Sequence, residues 1–210
     1  YDIDDRGNNF LSCDIIHTHN EHKSVREIID WYRYIEGKNY KDIIFIGHSR
    51  GAFNIIQAQS LINNKRIQSY LLAPVIDTYK GTKQYYMNEH NLPYDEVINS
   101  ADEFIISDKH PPINFLFCEN ARVSSSTFRS YMDFSGKIKS YPFTFDLIDL
   151  IEKINSKVKI ISGTDDEILL DSYKQFETIE NENINHILIE GGDHFFRDIY
   201  MDDVLEIIFN

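Results

Sequence analysis

The sequence predicts an α/β fold: a mostly parallel sheet with helices on both faces, plus a small helical insertion. Short apolar runs at residues 43–46, 67–73, 157–162 and 184–189 fit strands, because polar residues, glycine or proline bound each of them. Around them, apolar residues recur at three- and four-residue intervals that a helix brings onto one face. Strands separated by helices of this length are joined by crossovers, so their pairing is parallel.

In chain order, residues 1–4 read as a strand end and Asp5-Arg6-Gly7-Asn8-Asn9 as a polar turn. Ser24-Val25-Arg26-Glu27 has the Ser-x-x-Glu form of a capping box and predicts a helix start. That helix carries Val25, Ile28, Ile29, Tyr32 and Ile35 on one face and stops at Gly37. The strand at 43–46, expected to be buried on both faces, leads into a helix with Ala52, Ile55, Ile56, Ala58 and Ile62 inward. After the polar residues 63–66 comes the strand at 67–73, ended by Pro74.

From residue 79 to 141 the alternation is lost, and aromatic residues accumulate, among them Tyr85, Tyr94, Phe115, Phe128 and Phe134. A structureless loop of this length is improbable in a compact domain, so a small helical cap is expected, with one helix at about 94–106. The predicted organisation is thus a core of residues 1–78 and 142–210 and a cap or lid of residues 79–141. The alternation resumes with a helical face of Leu147, Ile148, Leu150, Ile151 and Ile154, then the strand at 157–162. An acidic turn at 163–167, a helix at 168–179, the strand at 184–189 and a helix at 196–209 complete it. In the last helix Ile199, Val204, Ile207 and Ile208 are expected inward.

The totals exclude several function classes. Against 34 acidic residues stand 21 Lys and Arg, and the resulting net charge of −13 repels phosphate backbones and anionic membrane surfaces. Nucleic acid is therefore not an expected partner. No apolar run approaches the roughly 20 residues that cross a bilayer, and none reads as a signal peptide. The expectation is a cytoplasmic chain without membrane insertion. Cys13 and Cys118 form no ligand-spaced pair and read as free thiols.

Chemistry concentrates at Gly47-His48-Ser49-Arg50-Gly51, between a predicted strand and a predicted helix. Gly-x-Ser-x-Gly in that setting puts a serine on a sharp, strained turn with its hydroxyl above the sheet edge. Small residues on either side allow the close approach such a turn needs. The backbone N–H of Arg50 then points to where an oxyanion would form. A serine hydroxyl needs a base to take its proton, and the base needs an acid to orient it. Parallel sheets gather reactive groups at the carboxyl ends of their strands. Two features follow a strand closely: Asp165-Asp166-Glu167 and His194 in Gly191-Gly192-Asp193-His194. Any of the three carboxylates fits the acid on position alone.

Taken together, these motifs resemble the α/β-hydrolase superfamily. The family's nucleophile elbow is matched by residues 47–51, its Gly-x-x-Asp acid loop by 163–166, and its histidine loop by Gly192-Asp193-His194-Phe195. Asp4-Asp5-Arg6-Gly7 resembles the loop after the family's fourth strand, with Asn9 where a second glycine stands. The resemblance implies Ser49 as nucleophile, Asp166 as acid and His194 as base. It also implies a cap between the sixth and seventh strands, and it leaves the family's first three strands, first helix and second oxyanion donor to be supplied by a segment before residue 1 or replaced by a rebuilt sheet.

The implied activity is that of a serine hydrolase acting on a small-molecule carboxylic ester, with thioesters and amides less favoured. That chemistry calls for neither metal nor organic cofactor. Two other classes fit parts of the sequence: a ligand-binding protein of the same fold that has lost its chemistry, and a metal-dependent hydrolase using His17 and His19, with His22 nearby. The distant ligands that a metal site would need are not evident. His48 reads as a packing or orienting residue, the Arg50 side chain as a surface ion-pair partner or, less favoured, as a pocket group suited to an acidic substrate, and His90, His110 and His186 as surface or structural.

Overall fold

The structure, a computed structural model, describes residues 16–18, 20–38, 40–76, 112–115, 118–124, 127 and 147–209. Two compact units are present, one of Tyr1–Glu27 and Asp77–Phe145, the other of Ile28–Ile76 and Asp146–Asn210.

In the first unit, β1 (Ile16–His17) pairs in parallel with β5 (Cys118–Val123), and β5 pairs antiparallel with β4 (Pro112–Phe115). Within residues 79–141 the described residues comprise the strands β4 and β5, Ser124 and the helical residue Thr127. The alternation Ile113-Asn114-Phe115 has the period of a strand. The helix expected at 94–106, the turn at residues 4–9 and the side chains of Cys13 and Cys118 lie outside the described residues.

Helix α1 (Glu21–Glu36) starts one turn earlier than the Ser24 capping box predicts. Asn20 is its cap: its side-chain oxygen accepts the Lys23 N–H at 3.1 Å, and its carbonyl accepts the Ser24 N–H at 2.9 Å. Ser24 lies inside the helix, where its hydroxyl bonds back to the Asn20 carbonyl at 3.1 Å. The predicted face is otherwise observed, with Val25, Ile28, Ile29 and Tyr32 buried.

The second unit is built on a four-stranded parallel sheet in the order β2 (Ile43–His48), β3 (Ile67–Leu72), β6 (Lys157–Gly163), β7 (Ile184–Ile189). Helices lie on both faces. On one face, α2 (Arg50–Ile62) is buried along almost its whole first three turns and packs on β2, β3 and α3 (Leu147–Ile151). Asn63 ends α2 in the left-handed conformation. A buried amide locks this layer: Gln59 accepts a 2.6 Å hydrogen bond from Ser69 of β3 and donates to Ser156 just before β6. Unsatisfied, that amide would cost about 1–3 kcal/mol.

On the other face lies α4 (Ile199–Phe209), whose Val204 and Ile208 pack with Tyr70, Leu72, Ile161, Ile189 and Phe196. Its last carbonyls are capped from the sheet, Ile208 by the Tyr70 hydroxyl at 3.1 Å and Ile207 by Lys159 Nζ at 3.0 Å. The helix starts later than expected because Phe196 and Asp198 have positive φ, 50° and 57°, which no helix tolerates. Ile199, expected inward, is 69% exposed at its first position.

Two further expectations fail for physical reasons. Strand β2 is not buried on both faces. Ile44 and Ile46 are about half exposed (51% and 49%), because the α4 cluster covers β3, β6 and β7 but not β2, which is outermost among the described strands of this sheet. The helix predicted at 168–179 is a 3₁₀-helix, Leu170–Thr178, with Phe176 its one buried residue and Leu170 at φ 49°. So little apolar burial gives an α-helix no face to pack.

Candidate active site

Ser49, Asp166 and His194 all follow the carboxyl ends of strands in the four-stranded sheet. Ser49 stands between β2 and α2 with φ 53° and ψ −119°, a conformation that non-glycine residues rarely adopt. Its N–H donates to the Leu72 carbonyl at 2.8 Å, and its own carbonyl accepts the Ala52 N–H at 3.1 Å and the Phe53 N–H at 3.3 Å. These bonds pin the turn from both sides. Although Ser49 is the N-cap residue of α2, its hydroxyl makes no capping bond. Arg50, the expected oxyanion donor, is the first residue of the helix.

The two glycines of the elbow differ. A Cβ on Gly47 would lie 2.5 Å from Ile55 Cδ1 and 2.8 Å from the Ala52 nitrogen, so α2 approaches β2 only because residue 47 has no side chain. A Cβ on Gly51 would meet nothing within 4 Å among the described residues. The requirement for small residues therefore holds two positions before the serine and not two after it.

Asp166 and His194 meet across 28 residues of sequence, His194 Nδ1 lying 2.8 Å from Asp166 Oδ2, with both side chains almost completely buried. The other carboxylate oxygen of Asp166 accepts the backbone N–H groups of Ile168 at 2.9 Å and Leu169 at 2.7 Å. Burial pushes the Asp166 carboxyl up. The hydrogen bonds from His194 and the two N–H groups outweigh it and hold the pKa below the ordinary aspartate value. An ionised carboxylate only accepts, so Nδ1 of His194 carries a proton, and in the neutral ring Nε2 is then the nitrogen with the lone pair. That Nε2 is buried and has no hydrogen-bond partner among the described residues, so the link from Ser49 to His194 is not formed here.

Of the three candidate carboxylates, Asp165 is exposed and bonded to the Thr164 hydroxyl at 3.3 Å. Glu167 accepts the backbone N–H of His194 at 3.1 Å. Only Asp166 reaches the ring. His48 Nε2 donates to the backbone carbonyl of His194 at 2.7 Å, and the two rings lie 4.9 Å apart. Burial lowers the His48 pKa, as does the nearby His194, against the opposing effects of that hydrogen bond and of Asp166. The acid and histidine loops are also stitched at their bases. Thr164 N–H donates to the Ile189 carbonyl at 3.1 Å, Asp165 N–H to Gly192 at 3.0 Å, and Gly191 N–H to the Thr164 hydroxyl at 2.8 Å. Motif spacing carries no signal for Thr164 or for the backbone role of Glu167.

His17 lies in β1 and His19 lies outside the described residues. Among the described residues no group of three His, Cys, Asp or Glu side chains is arranged to hold a metal, and no helix is long and apolar enough to cross a membrane. His186 is half-buried in the second unit, its Nε2 3.1 Å from the Ser162 hydroxyl and its ring against Phe176, and burial lowers its pKa.

No family model and no curated protein sequence matches this chain. Solved structures do. A lipase-esterase related protein from Clostridium acetobutylicum superposes with a TM-score of 0.56 at 18% identity, over 90% of this chain and 74% of that one. Est1E from Butyrivibrio proteoclasticus, with ferulic acid bound, gives 0.59 at 17% identity over 90% and 66%. A monoacylglycerol lipase from Paleococcus ferrophilus gives 0.51 at 16% identity over 89% and 74%. The chain has the α/β-hydrolase fold.

Proposed function

We propose that the chain is a serine hydrolase that cleaves a small-molecule carboxylic ester through an acyl-enzyme intermediate. Ser49 is the nucleophile, His194 the general base and Asp166 the acid that orients it. The observation that carries the reading is the buried Asp166–His194 pair, which leaves Nε2 of the imidazole without a hydrogen-bond partner among the described residues.

In the first step Ser49 Oγ attacks the ester carbonyl while its proton passes to His194 Nε2. The imidazolium so formed is stabilised by Asp166, whose hydrogen bonds favour the ionised form. The Arg50 N–H donates to the oxyanion. Collapse expels the alcohol, which takes the proton from His194. Water then attacks the acyl-serine with His194 again as base, releasing the acid and restoring Ser49. Each step returns the proton it borrows, so neither metal nor organic cofactor enters the cycle. The lipase and esterase names of the structural neighbours favour an ester over a thioester or amide.

Intact-protein mass spectrometry after treatment with an alkyl fluorophosphonate tests the reading, with Ser49→Ala and His194→Ala as controls. One adduct on the wild type and none on either variant is the expected result. No adduct on folded wild-type protein would replace this reading with that of a ligand-binding protein of the same fold.

A further inference from the structure

His194 is held by more than its ring. Its backbone N–H donates to Glu167 Oε2 at 3.1 Å and its backbone carbonyl accepts from His48 Nε2 at 2.7 Å. The two side chains are the sequence neighbours of Asp166 and Ser49. Each loop of the proposed triad thus places one residue on the chemistry and the next, or the previous, on the main chain of His194. With N–H, carbonyl and Nδ1 all bonded, Nε2 is the polar atom of His194 left without a partner among the described residues.

We propose that His48 and Glu167 are positioning residues, which grip the two backbone polar groups of His194 and so fix where its Nε2 stands. The inference rests on the serine hydrolase reading above. His48 is suited to the task because a carbonyl only accepts: the bond fixes the proton on His48 Nε2, and the donor persists whether the ring is neutral or charged. Glu167 is steadied in turn by Arg197, whose guanidinium lies 3.7 Å from Glu167 Oε1 and 2.7 Å from Asp193 Oδ2, over the face of Phe195. Asp193 Oδ1 accepts the N–H groups of Phe195 at 3.1 Å and Arg197 at 3.0 Å. The loop carrying His194 therefore has a rigid turn on one side of it. A base displaced by a fraction of an ångström loses rate without losing affinity for the substrate.

The test compares His48→Phe with His48→Gln and Glu167→Ala with Glu167→Gln, by the maximal rate of fluorophosphonate inactivation and its half-saturating concentration. Glutamine keeps an Nε2 donor at position 48 and an oxygen acceptor at position 167. Expected is a fall in maximal rate of about tenfold or more for His48→Phe and for Glu167→Ala, with half-saturation unmoved and most of the rate recovered in each glutamine variant. Wild-type rates in His48→Phe and Glu167→Ala would overturn the clamp. So would glutamine variants as slow as those two, or losses that follow the melting temperature and nothing else. An unreactive wild-type protein would instead overturn the hydrolase reading itself.

Discussion

Gly163, the last residue of β6, lies against the backbone of Gly192, which follows β7: a Cβ on Gly163 would stand 2.0 Å from the Gly192 carbonyl oxygen. Two glycines are what let the acid loop and the histidine loop touch. Gly163→Ala is expected to force that backbone apart and to destabilise the protein by about 1–3 kcal/mol, the usual range for overpacking. Because the displaced segment carries His194, inactivation by fluorophosphonate should also slow under conditions where the variant is still folded. Urea denaturation and labelling rate measured on one preparation check it.

The carboxylates of the acid loop separate by geometry. Asp166 bonds the ring of His194, whereas Asp165 is exposed and bonds a neighbouring hydroxyl. Asp166→Asn should lower the rate by roughly 10⁴, the effect of presenting the imidazole in the wrong tautomer. Asp165→Asn should leave it within about twofold, since surface substitutions away from such bonds have small effects. Equal losses in the two variants would count against Asp166 as the triad acid.

Gly47 and Gly51 should respond in opposite directions. Alanine at 47 meets Ile55 and the backbone of Ala52 and is expected to be destabilising by about 1–3 kcal/mol. Alanine at 51, in the first turn of α2, meets nothing within 4 Å among the described residues, and should be neutral or stabilising by up to about 1 kcal/mol through helix propensity. Thermal unfolding of both variants decides it.

These contrasts also mark how far the sequence could be read. Gly47, Ser49 and the Gly163–Asp166 loop were legible because a strained turn or a close contact restricts residue type at fixed spacing. Parallel pairing followed from the alternation of apolar runs with helical faces. The rest depended on tertiary neighbours. Asn20 displaces the Ser24 capping box because its carboxamide reaches the first turn, which Ser-x-x-Glu spacing does not reveal. Phe196 and Asp198 delay α4 through positive φ, although neither residue type announces it. Ile44 and Ile46 look like core until the extent of α4 is known, and Glu167 holds a backbone group through a contact 27 residues away.

Acid should destabilise the fold in a window set by His48 and His186. Burial lowers both from the ordinary value of 6.5, with Glu177 opposing it at His186 and the His194 carbonyl and Asp166 opposing it at His48. Below pH 6.5 the unfolded chain then binds more protons than the folded one, so this stability is present above 6.5 and lost as pH falls through the folded values. The depressed Asp166 acts in a separate window, its contribution present above the ordinary aspartate range and lost below it. Urea midpoints should therefore decline as the pH falls below the ordinary histidine value of 6.5, and less steeply in His186→Gln. An unchanged slope in that variant would remove His186 from the account.

Ser49 itself should be a source of instability. A non-glycine residue in a sparsely populated backbone region costs about 1–3 kcal/mol, held here by the Leu72, Ala52 and Phe53 hydrogen bonds. Ser49→Ala deletes the hydroxyl but keeps the Cβ that makes φ 53° unfavourable. Ser49→Gly deletes both. Neither variant should be labelled by fluorophosphonate, yet Ser49→Gly should melt higher than Ser49→Ala. The difference should be about 2–4 °C for each kcal/mol released in a chain of this size. Because the hydroxyl makes no capping bond to α2, its loss should not destabilise the helix, so the difference between the variants is the backbone strain released less about 0.4–1 kcal/mol for the freer unfolded chain of glycine. Equal melting temperatures would mean that the strain stored at the serine is no larger than the entropy glycine adds to the unfolded chain, about 0.4–1 kcal/mol.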